Sequence, residues 1–118
     1  DLNRDGFVDR VSRDMWGPAQ MSLSRCDDSA WLLIQLKQPG ANPFAIGAEV
    51  TAYVGEQRWT RWVQAGSTNL SSGGPTEVHI GLGTIEQLDG LEVRWPDGAY
   101  SVLKDVQTRA KIRLERTP

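Results

Sequence analysis

LEVRWPDG, residues 91–98, is the stretch that decides the fold. Leu91, Val93 and Trp95 alternate with Glu92 and Arg94, and a period of two places the apolar side chains on one face of a β-strand. Pro96 presets φ and Gly98 accepts φ > 0, so WPDG predicts a tight turn joining this strand to the next as a hairpin. The same alternation recurs on either side. WLLIQLK (31–37) places Leu32, Ile34 and Leu36 on one face, EVTAYV (49–54) does so with Val50, Ala52 and Val54, and TEVHI (76–80) with Val78 and Ile80; AKIRLE (110–115) does so with Ala110, Ile112 and Leu114. QPGANP (38–43) and SSGGP (71–75) supply turn signals between them. Short alternating strands without a sustained helical period predict an all-β fold, an antiparallel β-sandwich. One helical turn is expected in TIEQLDG (84–90).

The 118 residues suit one domain with a buried core. With 13 basic and 15 acidic residues the net charge is −2, which excludes a strongly basic nucleic-acid or anionic-membrane binder. No apolar run approaches the ~20 residues of a membrane span. Cys26 is the single cysteine, so neither an intrachain disulfide nor a cysteine-based zinc site is available.

The first 28 residues form a polar leader, expected to be irregular, and residues 29–118 form the sandwich domain. The leader opens on DLNRDGFVD (1–9). Asp1, Asn3 and Asp5 place side-chain oxygens at alternate positions, Phe7 offers a carbonyl, Asp9 a carboxylate, and Gly6 permits a sharp turn. Hard cations take such all-oxygen sets, so these five residues are the candidate Ca²⁺ ligands. An EF-hand would need Glu where Ser12 stands and an amphipathic helix that VSRDMWGP does not supply. The pattern is that of a nine-residue calcium loop; the alternative is the stub of a neighbouring unit. A chain opening inside a ligand loop is expected of a domain taken from a longer protein.

In QRWTRWVQ (57–64), the spacing of Trp59 and Trp62 sends the two indoles to opposite faces of a strand. One of them is a candidate platform for a sugar ring or a partner's side chain, assisted by Arg58 or Arg61; the alternative is a tryptophan covered by a loop or by the leader. Arg109, Lys111 and Arg113 form a positive stripe on the last strand, suited to guarding a sheet edge or to holding an acidic glycan. His79, the only histidine, alternates with Val78 and Ile80 and is expected on the surface or beneath a loop. GSTN (66–69) is not a nucleophile elbow and GLG (81–83) is not a dinucleotide-binding fingerprint. Asn69-Leu70-Ser71 is an Asn-x-Ser acceptor, relevant in a secreted eukaryotic protein. No catalytic constellation emerges, and the chain reads as a non-enzyme.

Taken in order, WLLIQL (31–36), NPFAIGAEV (42–50), HIGLG (79–83), LEVRWPDG (91–98) and the closing segment from Val106 to Ile112 resemble the ASPIC/UnbV domain of the cartilage acidic protein type. AGSTNLSSGG (65–74) departs from the family's Gly-Ser-Gly-Tyr-Leu-Ser type segment in lacking its Tyr, and Ile80 replaces the usual Phe. The resemblance implies that DLNRDGFVD closes an FG-GAP-type repeat, a blade of a β-propeller preceding the domain in the same chain. It also implies a secreted or extracytoplasmic location. The resulting expectation is an adhesion or recognition module at the C-terminal end of a calcium-binding β-propeller, with a glycan or extracellular protein as partner. The alternatives are a carbohydrate-binding module using an exposed tryptophan, and an accessory or capping domain of a propeller enzyme.

Overall fold

The computed structural model describes residues 1–25, 28–66 and 73–117. Among these residues there is no helix. The strands in order are β1 (Arg10–Arg13), β2 (Ala19–Ser22), β3 (Ala30–Lys37), β4 (Glu49–Val54), β5 (Gln57–Trp62), β6 (Glu77–Gly83), β7 (Gln87–Arg94), β8 (Tyr100–Gln107) and β9 (Ala110–Glu115). Cys26, Asp27 and the Asn69-Leu70-Ser71 acceptor lie outside the described residues, as does most of the 65–74 segment.

The expected all-β sandwich is found. One sheet has the order β6-β3-β9 and the other β5-β4-β7-β8. Their inner faces share one apolar core: Leu32, Ile34, Val78 and Ile80 from the first meet Val50, Ala52, Leu91 and Val93 from the second. These residues fall on the alternate positions of their strands, as burial on one face of a pleat requires. The WPDG hairpin joins β7 to β8, with the Trp95 amide donating to the Ala99 carbonyl at 2.8 Å, Gly98 N–H to the Trp95 carbonyl at 2.9 Å, and φ of Gly98 at 88°. Trp95 is buried and its indole N–H donates to Ser101 Oγ at 2.8 Å, so the polar end of the ring is satisfied.

Three local expectations are corrected. The β3–β9 pair is parallel, from Leu32 opposite Ala110 to Lys37 opposite Glu115, while every other pairing is antiparallel. The leader is not wholly irregular, because β1 and β2 pair as a hairpin from Arg10 opposite Ser22 to Arg13 opposite Ala19. The 84–90 stretch contains no helical turn: Thr84 lies in a turn and Gln87 onward belongs to β7. β6 continues to Gly83, where φ is 62° ahead of the turn at Thr84, and a register shift opposite Ala30 and Trp31 absorbs the extra residue.

Candidate functional site

The nine-residue loop is closed by its own aspartates. Asp1 Oδ2 accepts from the Gly6 amide at 3.2 Å, Asp5 Oδ1 from Phe7 at 2.9 Å and Asn3 Oδ1 from Asp5 at 3.3 Å. Asp9 ties both ends, accepting from Leu2 N–H at 2.5 Å through one oxygen and from Ser24 N–H at 2.9 Å through the other. Those two amides, Leu2 foremost and then Ser24, hold the Asp9 carboxyl below its ordinary value of 3.8. Ser24 follows β2, so the leader hairpin brings the chain back to brace the loop; its hydroxyl also donates to the Val8 carbonyl at 2.5 Å.

The loop is seated on the sandwich. Gly6 is buried at φ 93°, and a Cβ added there would lie 1.8 Å from Cε2 of Trp31. Only glycine tolerates both that backbone conformation and that approach. The Gly6 carbonyl lies 2.7 Å from Nε2 of His79, and because a carbonyl only accepts, Nε2 carries the proton. Trp31 and His79 both project from the outer face of the β6-β3-β9 sheet, opposite to the buried Leu32, Ile34, Val78 and Ile80. His79 is therefore the loop-covered histidine that its alternation allows. Between loop and sheet runs a groove of about 680 Å³ whose walls include Trp31, Leu33 and Val8, with Arg4, Glu77 and Lys111 among its polar groups.

All five candidate calcium ligands, Asp1, Asn3, Asp5, Phe7 and Asp9, lie in this loop. Among the described residues no three His, Cys, Asp or Glu side chains form a metal-ready cluster; the carboxylates of the loop accept instead from its own amides. The donor types nevertheless suit a hard cation, being three carboxylates, one amide oxygen and one carbonyl. The Gly6 carbonyl, spent on His79, stands outside that set.

Trp59, Arg61 and Trp62 divide between the two faces of β5, while Arg61 and Trp62 both line a small groove of about 200 Å³ with Gln64, Glu77 and His79. Trp59 pairs with the buried Ala52 and packs against the core, whereas Trp62 pairs with Glu49 on the outer face and is 56% exposed. Arg61, opposite Val50, shares the side of Trp59, and its Nη1 donates to the Thr60 carbonyl at 2.9 Å. The basic stripe lies on or beside the edge strand β9, and each of its members has an acidic partner: Arg109 with Glu86, Lys111 with Glu77 and Arg113 with Glu115. That pairing fits an edge guard better than an anion site.

Sequence reasoning did not bring Trp31 and His79 to the loop. An indole on the outward phase of an otherwise buried strand was the available signal, since such a ring needs a cover.

Architecture and site together define a two-sheet β-sandwich module carrying an aspartate-rich loop on one outer face. The family model described as ASPIC and UnbV matches residues 38–118, and the chain belongs to that family. The match begins beyond β3, so WLLIQL and the loop lie outside it. No curated protein matches the chain.

Proposed function

We propose that the chain is a non-catalytic recognition or adhesion module, secreted or extracytoplasmic, whose N-terminal loop binds Ca²⁺ and fixes the junction between the sandwich and a β-propeller preceding it in the same protein. The seating of the loop carries this reading: Gly6 packs on Trp31 and its carbonyl meets His79. A loop anchored at its central glycine has its flanking oxygens held in place by the sandwich, which lowers the ordering cost of binding a cation. Asp1, Asn3, Asp5, Asp9 and the Phe7 carbonyl would hold the ion. A divalent cation would offset two of the three carboxylate charges and would be held by both Asp1 and Asp9, the two ends of the loop. The site then acts as a structural clamp.

The test is the thermal midpoint in chelator and in excess Ca²⁺. A ligand at one hundred times its dissociation constant stabilises the native state by about 2.7 kcal/mol. The reading expects a rise in midpoint that Asp5→Ala abolishes. A midpoint indifferent to Ca²⁺ sinks the clamp.

A further inference from the structure

The second outer face, that of the β5-β4-β7-β8 sheet, can be reconstructed from its register. Cross-strand partners share a face, and Glu49 pairs with both Trp62 and Arg94, while Arg94 pairs with Tyr100. Trp62, Glu49, Arg94 and Tyr100 therefore stand in one row across all four strands, opposite in phase to the buried Val50 and Val93. The next row is Thr60, Thr51, Glu92 and Val102, with the two threonine hydroxyls 2.9 Å apart. The aromatic residues at the ends of the first row are both open to solvent, Trp62 at 56% and Tyr100 at 62%. Three strand intervals separate them, about 14 Å at the usual spacing. Between them Arg94 donates to Glu49 at 2.9 Å.

We propose that this face binds an extended, uncharged glycan chain laid across the four strands, with Trp62 and Tyr100 stacking on two separated sugar rings and Glu49, Arg94 and the threonine pair hydrogen-bonding the hydroxyls between. The inference rests on the recognition reading above and names its ligand class and its surface. Three features select this occupant. The two rings are set apart by an ion pair, and the exposed Val102 adjoins Tyr100 alone, so no continuous apolar patch spans the face for a protein partner. Within the row the one carboxylate and the one guanidinium neutralise each other, and the next rows carry Glu92 against Arg58 and Lys104, so no single sign of charge dominates the face to attract an ionic polymer. Arg94 retains unused N–H donors and Glu49 unused lone pairs, the complementary groups that vicinal hydroxyls require. An aromatic ring also supplies large contact area with few rotatable bonds, so stacking loses little conformational entropy.

The experiment is calorimetric titration of the chain with cellohexaose, xylohexaose, mannohexaose and laminarihexaose, each against the corresponding monosaccharide. Expected is binding of at least one hexasaccharide, with the monosaccharide much weaker, and a loss of roughly tenfold or more for Trp62→Ala and for Tyr100→Ala, the usual cost of truncating an aromatic anchor. Both side chains are exposed, so circular dichroism and thermal midpoint should stay as in the parent. Failure of all four oligosaccharides to bind the folded protein overturns the ligand class; if the Ca²⁺-dependent midpoint persists in that case, the clamp survives without the glycan face. Binding that the Trp62→Ala/Tyr100→Ala double variant retains overturns the surface while leaving a recognition module. A dimer in sedimentation that dissociates in the double variant would make the face a contact between copies and overturn the proposal as well.

Discussion

Replacing Gly6 by alanine perturbs the seat of the loop at one atom. The added Cβ would lie 1.8, 2.2 and 2.2 Å from Cε2, Cζ2 and Nε1 of Trp31, far inside contact distance, and the ring stands on a strand paired on both sides, so it has little room to yield. A non-glycine residue at φ 93° adds strain of about 1–3 kcal/mol. The loop escapes both penalties by leaving the sheet, and the loss is then limited to what docking contributes. That is one hydrogen bond from His79 to the Gly6 carbonyl, about 0.5–1.5 kcal/mol, and the cover over the indole, on the order of 1 kcal/mol. The expected loss is about 2 kcal/mol, or roughly 6–10 °C in midpoint for a domain of this size. Gly47→Ala is the control: its φ is 90°, yet an added Cβ meets nothing within 4 Å, so it carries the strain without the clash. Hydrogen exchange of the peptide covering residues 1–9 should accelerate in Gly6→Ala and stay unchanged in Gly47→Ala. Exchange and midpoint in Gly6→Ala equal to those of the parent would refute the seating.

Protection of the same peptide should depend on pH. Asp9 has its carboxyl held down by the amides of Leu2 and Ser24, so its contribution is present above the ordinary value of 3.8 and is lost as pH falls through the lower native value; exchange corrected for intrinsic rate should rise only in acid, and a loss of protection between neutrality and pH 5 would contradict the assignment. Leu91→Ala removes a fully buried side chain from the core and should cost about 2–5 kcal/mol in urea unfolding. Gly90→Ala should cost about 1–3 kcal/mol in the same assay, because its Cβ would lie 2.3 and 2.5 Å from Tyr53 Oη and Cζ and 2.9 Å from the Leu103 carbonyl, and of these only the tyrosine ring is able to swing away. Ser101→Ala strands the buried indole N–H of Trp95 and should cost about 1–3 kcal/mol, unless water reaches the ring, in which case the loss will be small.

Much of the sandwich was legible because its strands bury one face each. In β3 the buried residues are Ala30, Leu32, Ile34 and Leu36, an unbroken alternation, and the WPDG turn adds the two residue types its geometry needs. Alternation reports a face and not a partner, so nothing in AKIRLE distinguishes the parallel pairing with β3 from an antiparallel one. The leader hairpin was illegible for a different reason: RVSR and AQMS are mostly exposed, and a strand without a buried face has no hydrophobic period. Gly47, which reads beside Ala48 as a point of close backbone approach, is a conformational glycine with open space around it, while Gly6 is the one at which the chain and an indole meet. The candidate loop residues were visible from their spacing. The face they sit on was not, because Gly6 and His79 are 73 positions apart and no local pattern encodes that contact.

The division of labour follows from what each surface leaves unsatisfied. The inner faces are consumed by the core, and among the described residues no buried side-chain nitrogen or oxygen lacks a partner. The outer face of the β6-β3-β9 sheet spends His79 and Trp31 on the loop, and Glu77 on Gln35 and Lys111. Its polar groups are committed to holding structure, which suits a clamp. The outer face of the β5-β4-β7-β8 sheet keeps two exposed aromatic rings that contribute nothing to the core, and an Arg94–Glu49 pair with unused hydrogen-bonding capacity. A large aromatic side chain left in water gains nothing from folding, so its stacking surface remains for a ligand. The proposed calcium clamp and the proposed glycan face thus call on different sheets of one sandwich, with the shared core between them holding each surface in shape.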